Sequence, residues 1–241
     1  MPQPGLVSRC FGLASVARFL NAPHVLKWFK FIVAVLLLPV CAGAATTLQK
    51  VVVASGRADL TWVPFLAGVG CWIVIYLLLP RPMWIYVFGH ELTHAVWTWL
   101  CGGEVKKFKV TSNGGHVIVT KTNFLIALAP YFFPLYAALV VGVFATGNFV
   151  WGWTRYLMWF HLLLGAAYAF HVTLTAHVLQ SRQTDITSQG WLFSAVIIFL
   201  GNVLVLLLGI PLLAAQVDIP TAMHWWWADT VRIIHWLKHG A

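Results

Sequence analysis

The stretch Gly89-His90-Glu91-Leu92-Thr93-His94-Ala95 lies within an apolar run from Met83 to Leu100. It contains the pattern His-Glu-x-x-His, and residues four apart share one face of a helix, so both imidazoles can bind one metal ion. Glu91 follows the first histidine and is placed to accept a proton from a metal-bound water. The stretch therefore predicts a helix with a catalytic metal site, in which His90 and His94 are ligands and Glu91 is the general base.

An accidental pattern is the alternative, with two buried histidines and a glutamate that only pack against neighbours. Ionisable side chains in an apolar span are energetically costly and usually functional, which favours the metal site. The pair His235 and His239 has the same spacing but no glutamate between its members, in a Trp-rich segment. We interpret that pair as interfacial rather than metal-binding.

Composition indicates an integral membrane protein that crosses the bilayer several times. The chain is 61% hydrophobic and 9% charged, whereas about 25% of a soluble domain is charged. Its 14 Trp residues are typical of membrane interfaces. Basic residues beside the apolar runs predict contacts with anionic lipid headgroups, and no aromatic-lined basic groove suggests nucleic acid. The four cysteines form no C-x-x-C pair and predict no disulfide framework.

The predicted fold is all-α, with about six transmembrane helices and one small membrane-associated β-hairpin. The first apolar run could instead be a signal peptide, but its long basic leader favours a retained span. Pro130 and Pro134 predict a kink in the fourth span. The predicted spans are residues 31–45, 61–80, 83–100, 124–146, 156–179 and 192–215. We divide the chain into an N-terminal basic segment with two accessory spans (1–80), a core that contains the His-Glu-x-x-His helix, the hairpin, two further spans and the Asp185 loop (81–190), and a last span with an amphipathic Trp-rich tail (191–241).

The hairpin is predicted between the third and fourth spans. Two β-rich segments, Val105–Val110 and His116–Thr120, flank an Asn113-Gly114 turn, and this arrangement is a strong hairpin signal. It could be an ordinary solvent-exposed hairpin. The functional interpretation is an edge strand at Val117, Ile118 and Val119 that pairs with an extended substrate.

From Gly89 to about Gly190 the chain resembles the site-2 protease class of intramembrane zinc metallopeptidases. The matching residues are His90-Glu-Leu-Thr-His94, then Gly102-Gly-Glu-Val105-Lys-Lys-Phe108 in the pattern Gly-x-x-Val-x-x-Phe, then the hairpin. The resemblance implies that His90, His94 and an aspartate bind Zn²⁺. It also implies that Glu91 activates water and that the substrate is a membrane-embedded helix of another protein.

Asp185 is the expected third ligand, because it follows the motif by two spans. Its context is Thr184-Asp185-Ile186, whereas the family has Asn-Pro-Asp-Gly or Leu-Asp-Gly, so chain order and the scarcity of acids carry the assignment. His171 and His177 are the competing candidates, since neutral imidazole binds zinc well.

The predicted function is intramembrane zinc proteolysis in a bacterial-type cell membrane. One alternative is a membrane metal-binding protein without peptidase activity, such as a sensor, chaperone or transporter. The other is a structural membrane protein in which the His-Glu-x-x-His pattern is incidental. The sequence predicts neither the substrate nor an oligomeric state.

Overall fold

A computed structural model describes residues 23–111, 114–214 and 216–240 of the 241-residue chain. Ser112 and Asn113 of the predicted turn, and residues 1–22 of the predicted basic leader, lie outside the described residues. Two short 3₁₀ helices, Ala129–Tyr131 and Trp153–Tyr156, lie between the longer elements. The other elements are α1 (Pro23–Ser55), α2 (Asp59–Leu78), α3 (Met83–Leu100), β1 (Val105–Thr111), β2 (Gly114–Val119), α4 (Phe124–Leu128), α5 (Leu135–Trp151), α6 (Leu157–Val178), α7 (Thr184–Gln189), α8 (Trp191–Ala214) and α9 (Ile219–His239).

Four segments of the described chain are long and apolar enough to cross a membrane: α1, α2, α8, and α6 together with the 3₁₀ helix before it. A fifth crossing results if Phe124–Tyr131 and α5 form one broken span, bent by 81°. Helix α3 is not in this set because its histidines, glutamate and threonines lower its apolarity. The fold is thus helical with several apolar spans. The third predicted span, residues 83–100 in α3, and with it the total of six, stays a prediction.

The spans pack in two groups. Helix α2 lies against α6, and α5 contacts α6 on another side. Gly68 and Gly165 allow the close approach of α2 and α6, since a Cβ on Gly68 would lie 1.9 Å from the Leu162 carbonyl oxygen and one on Gly165 would lie 2.0 Å from that of Phe65. Small residues commonly allow such backbone contact between membrane helices.

The first helix packs with the end of the chain, against α8 and α9. The first span is predicted to end at residue 45, but α1 continues to Ser55. The reason is that the polar residues of this segment meet a buried partner: Lys50 Nζ and Thr47 Oγ1 donate hydrogen bonds to the carboxylate of Asp229 in α9. Lys50 and Asp229 are 179 residues apart in the sequence. The Asp229 carboxylate therefore provides the hydrogen bonds that water would provide to these side chains in a loop.

Two features arrange the chain around α3. The predicted kink is confirmed: the helix breaks between Tyr131 and Leu135, with Pro130 just before the break and Pro134 within it. The predicted hairpin is also confirmed, with β1 and β2 antiparallel and Phe108 paired with Val117. Both strands contact α3, as does the 3₁₀ turn Ala129–Tyr131. The break and the hairpin thus enclose the His-Glu-x-x-His helix.

Candidate active site

Helix α3 presents the predicted metal ligands on one face. It begins after Pro82 and ends at Leu100, and the capping residue Cys101 is followed by Gly102 with φ of +68°. The His90 and His94 rings lie 5.0 Å apart between centroids. Between them in sequence, Glu91 is 8% exposed. The helical spacing therefore places the three residues as the motif predicts.

Asp185 completes a ligand cluster with the two histidines. Its Oδ2 atom lies 3.7 Å from His90 Nε2 and 3.6 Å from His94 Nε2. One ligand atom from each of the three residues lies within 4.8 Å of the others. Tetrahedral zinc with bonds of about 2.0–2.2 Å separates its ligand atoms by about 3.3–3.6 Å. The spacing and the two-imidazole, one-carboxylate donor set therefore fit zinc.

The short helix α7 carries Asp185 to the cluster. Ile186 is buried with Leu128, Ala129 and Tyr131 from the broken span, which fixes α7 against the turn. Tyr131 donates a hydrogen bond of 3.0 Å from its hydroxyl to Asp185 Oδ2. Burial disfavours the Asp185 carboxylate, but His90 and His94 outweigh it and hold the pKa of Asp185 well below its ordinary value. The Asp185 side chain is therefore an ionised carboxylate at neutral pH.

A backbone hydrogen bond orients His94. Its Nδ1 lies 2.8 Å from the Ile126 carbonyl oxygen, which can only accept, so Nδ1 carries the proton. The lone pair of Nε2 then faces Asp185 and is free for a metal. Metal-binding histidines commonly use their second nitrogen in this way, which sets the tautomer and the direction of the ring.

The ligand cluster opens into a cavity of about 340 Å³ between α3, α7 and strand β2. Val117 and Val119 of the predicted substrate edge line this cavity, whereas the Ile118 side chain points away and is 47% exposed. Alternation along a strand accounts for this division. Polar walls come from His116, Thr122, Gln183 and Thr184. The cavity can therefore admit water and an extended peptide next to the ligands.

Strand β2 touches Glu91 directly through Gly115. A Cβ added to Gly115 would lie 2.6 Å from Glu91 Cγ and 3.0 Å from Glu91 Oε1. Real Cβ atoms are not found at the shorter distance, so Glu91 or the strand would have to move. The absence of a side chain at position 115 thus sets the position of the glutamate.

We therefore expect Gly115→Ala to slow peptide hydrolysis by about 10- to 100-fold, because small displacements of a catalytic group have effects of this size. Zinc content should stay at the wild-type value, since the atoms nearest to an added Cβ belong to Glu91 and Lys109 and not to His90, His94 or Asp185. Hydrolysis rate and zinc content of the purified variant provide the check. Gly142→Ala is the matched control, because a methyl group there meets no atom within 4 Å. Equal rates for the two variants would contradict this role of Gly115.

The competing third ligands lie elsewhere. His177 lies beside Arg81, with its Nε2 3.4 Å from the guanidinium. His171 is buried on α6 and shares a different, smaller cavity with His90. Among the described residues, the His90–His94–Asp185 cluster includes neither of them.

Three contributors were missed by the sequence reasoning: Gly115, Tyr131 and the Ile126 carbonyl. A backbone carbonyl leaves no signal in a sequence. Gly115 follows the glycine of the Asn-Gly turn and was interpreted only as part of that turn. Tyr131 directly follows Pro130, one of the two prolines that predict the kink. A polar residue beside a predicted helix break was therefore the signal that could have indicated its role.

One of three comparisons with known proteins found a match. A family model described as Peptidase M50B-like matches residues 63–180. The match includes His90, Glu91, His94 and the hairpin, and it ends five residues before Asp185. A search of curated proteins and a search of solved structures found no match. Through residues 63–180, the chain belongs to the M50B-like peptidases, which is the site-2 protease family.

Proposed function

We propose that this protein is an intramembrane zinc metalloprotease that hydrolyses peptide bonds of membrane-embedded protein substrates. The observation that carries the proposal is the convergence of His90, His94 and Asp185 beside Glu91 on one cavity. Three protein ligands with an open fourth position are typical of catalytic zinc, whereas structural zinc has four protein ligands. Apolar helices and family membership make the chain a multi-pass membrane protein, and a bacterial-type cell membrane stays a prediction.

His90, His94 and Asp185 would hold the zinc. When bound, the ion supplies Lewis acidity, which lowers the pKa of a coordinated water from about 15.7 towards about 7 and polarises a peptide carbonyl. Glu91 removes the proton from the attacking water and later donates it to the leaving amine nitrogen. The contact of Glu91 with Gly115 keeps the carboxylate within the cavity.

The substrate of this proposal is a transmembrane segment that unwinds locally. A peptide bond inside a helix is shielded by its own turn, so an extended stretch must enter the cavity. Strand β2 borders that cavity at Val117 and Val119, and an extended peptide can add to a strand edge by main-chain hydrogen bonds. Ile118 would contribute through its backbone only. Lipid headgroups would contact the basic residues at the ends of the spans.

Metal removal tests the proposal in the reconstituted protein. We expect wild-type protein in liposomes to cleave members of a panel of membrane-spanning peptides. Treatment with 1,10-phenanthroline should abolish cleavage, and one equivalent of zinc should restore it, because the ligands survive chelation. Cleavage that persists in zinc-free protein would contradict the proposal. Stoichiometric zinc without cleavage of any peptide in the panel would favour the non-enzymatic metal-binding protein.

A further inference from the structure

The two zinc-ligand histidines differ in what their second ring nitrogen meets. His94 Nδ1 bonds the Ile126 carbonyl. His90 Nδ1 is buried, and within residues 23–111, 114–214 and 216–240 it has no hydrogen-bond partner. A buried polar atom without a hydrogen-bond partner destabilises the folded state. Metal-binding histidines almost always satisfy this nitrogen with a carboxylate, a carbonyl or a water, so His90 requires an explanation.

His90 also lines a second, small cavity, which is distinct from the 340 Å³ cavity beside Asp185 and strand β2. Its volume is about 20 Å³, and a single water needs roughly 10–15 Å³. His171 lines the same cavity from α6, with 7% of its surface exposed. Its Nε2 is also buried and, in the described part of the chain, also lacks a partner. Two histidines that each have an unpartnered ring nitrogen therefore line one space that can hold a water molecule.

The hydroxyl groups that line this cavity already donate their protons to other partners. Tyr86 donates to Thr175, Thr93 donates to the Gly89 carbonyl, and Tyr136 donates to the Ile85 carbonyl. Each hydroxyl has thus used its proton, and what remains on each is a lone pair. A water donates two hydrogen bonds and accepts two. It can therefore accept from His90 and donate to His171, with a neighbouring hydroxyl oxygen as a further acceptor.

We propose that His171 is a positioning residue for the zinc ligand His90 and acts through one buried water. His90 Nδ1–H donates to the water, and the water donates to His171 Nε2. This link fixes the tautomer of His90 with its Nε2 lone pair towards Asp185. His171 was considered above as a third zinc ligand. In this proposal it instead holds the ligand His90 in place, through the Nδ1 side of the His90 ring. The inference rests on the proposed zinc site.

The test compares His171→Gln with His171→Met, two side chains of similar length. Gln retains a hydrogen-bond acceptor and Met does not. We expect His171→Met to weaken zinc binding by about 10- to 100-fold, the usual effect of losing such an outer partner, and His171→Gln to stay within about threefold of wild type. Zinc affinity is measured by competition with a chromophoric chelator in detergent. The absorption spectrum of the cobalt-substituted protein reports on ligand geometry and should change in the Met variant alone.

His161→Met is the matched control. His161 lies on the same helix, is equally buried, and also has an unpartnered ring nitrogen among the described residues, but it lies outside this cavity. The His161→Met variant should bind zinc with wild-type affinity. Wild-type affinity in His171→Met, or an equal loss in the Gln and Met variants, would overturn the positioning role. Absence of zinc from the wild-type protein would instead overturn the proposed function, so the two failures are distinguishable.

Discussion

Glu91→Gln is expected to lower the rate of peptide hydrolysis by about 10²- to 10⁴-fold, the usual contribution of a general base. The amide has nearly the shape of the carboxylate but cannot accept the proton of the attacking water. Zinc should remain bound at the wild-type ratio, because Glu91 lies outside the ligand cluster. The check is to measure cleavage of a reconstituted membrane-spanning peptide and zinc content in the same preparation.

The chain supplies a matched control in Glu104, the other of its two glutamates. Glu104 is exposed and lies just before strand β1. Glu104→Gln should cleave at the wild-type rate. Comparable activity in the Glu91 and Glu104 variants would show that Glu91 is not the base. Loss of zinc in Glu91→Gln would instead give Glu91 a role as a ligand.

Asp185→Ala is expected to weaken zinc binding by at least about 10²-fold, more than the loss of an outer hydrogen-bond partner. The variant removes the negatively charged ligand and leaves two imidazoles, a donor set short of the three that catalytic zinc requires. Activity should fall with zinc occupancy and recover in part at high zinc concentration. Chelator competition gives the affinity, and a zinc titration of cleavage gives the recovery.

Asp59→Ala is the control, because it also removes one carboxylate from the chain but at an exposed position in the first turn of α2. Zinc affinity should be unchanged in this variant. Unchanged affinity in Asp185→Ala would mean that another residue is the third ligand. His171 would then be the first to examine, since it already borders His90.

The sequence predicted the parts of the site that depend on local geometry. Residues four apart on a helix must share a face, so His90, His94 and Glu91 followed from their spacing. An Asn-Gly turn between β-rich segments specifies a hairpin, and two prolines specify a break. Asp185 required the family resemblance, because nothing in residues 184–186 marks a metal ligand. Its contact with the motif depends on the burial of Ile186 against the broken span.

The remaining features depend on packing between distant segments. Lys50 is a charged residue that hydropathy places outside a span. Its hydrogen bond to Asp229 in the folded protein allows α1 to continue beyond its predicted end. The division of the spans into two packed groups depends on contacts such as Gly68 against α6. The contact of Gly115 with Glu91 and the cavity shared by His90 and His171 are likewise products of the folded arrangement. Hydropathy patterns carry no information about such pairings.

The central claim is that His90, His94 and Asp185 form one zinc site, and zinc content per chain tests it most directly. Detergent-purified wild-type protein, reconstituted with zinc and freed of excess metal, would be measured by elemental analysis alongside His90→Ala and His94→Ala. We predict about one zinc per chain in the wild type and almost none in either variant. No zinc in the reconstituted wild type, or equal zinc in all three proteins, would contradict the account.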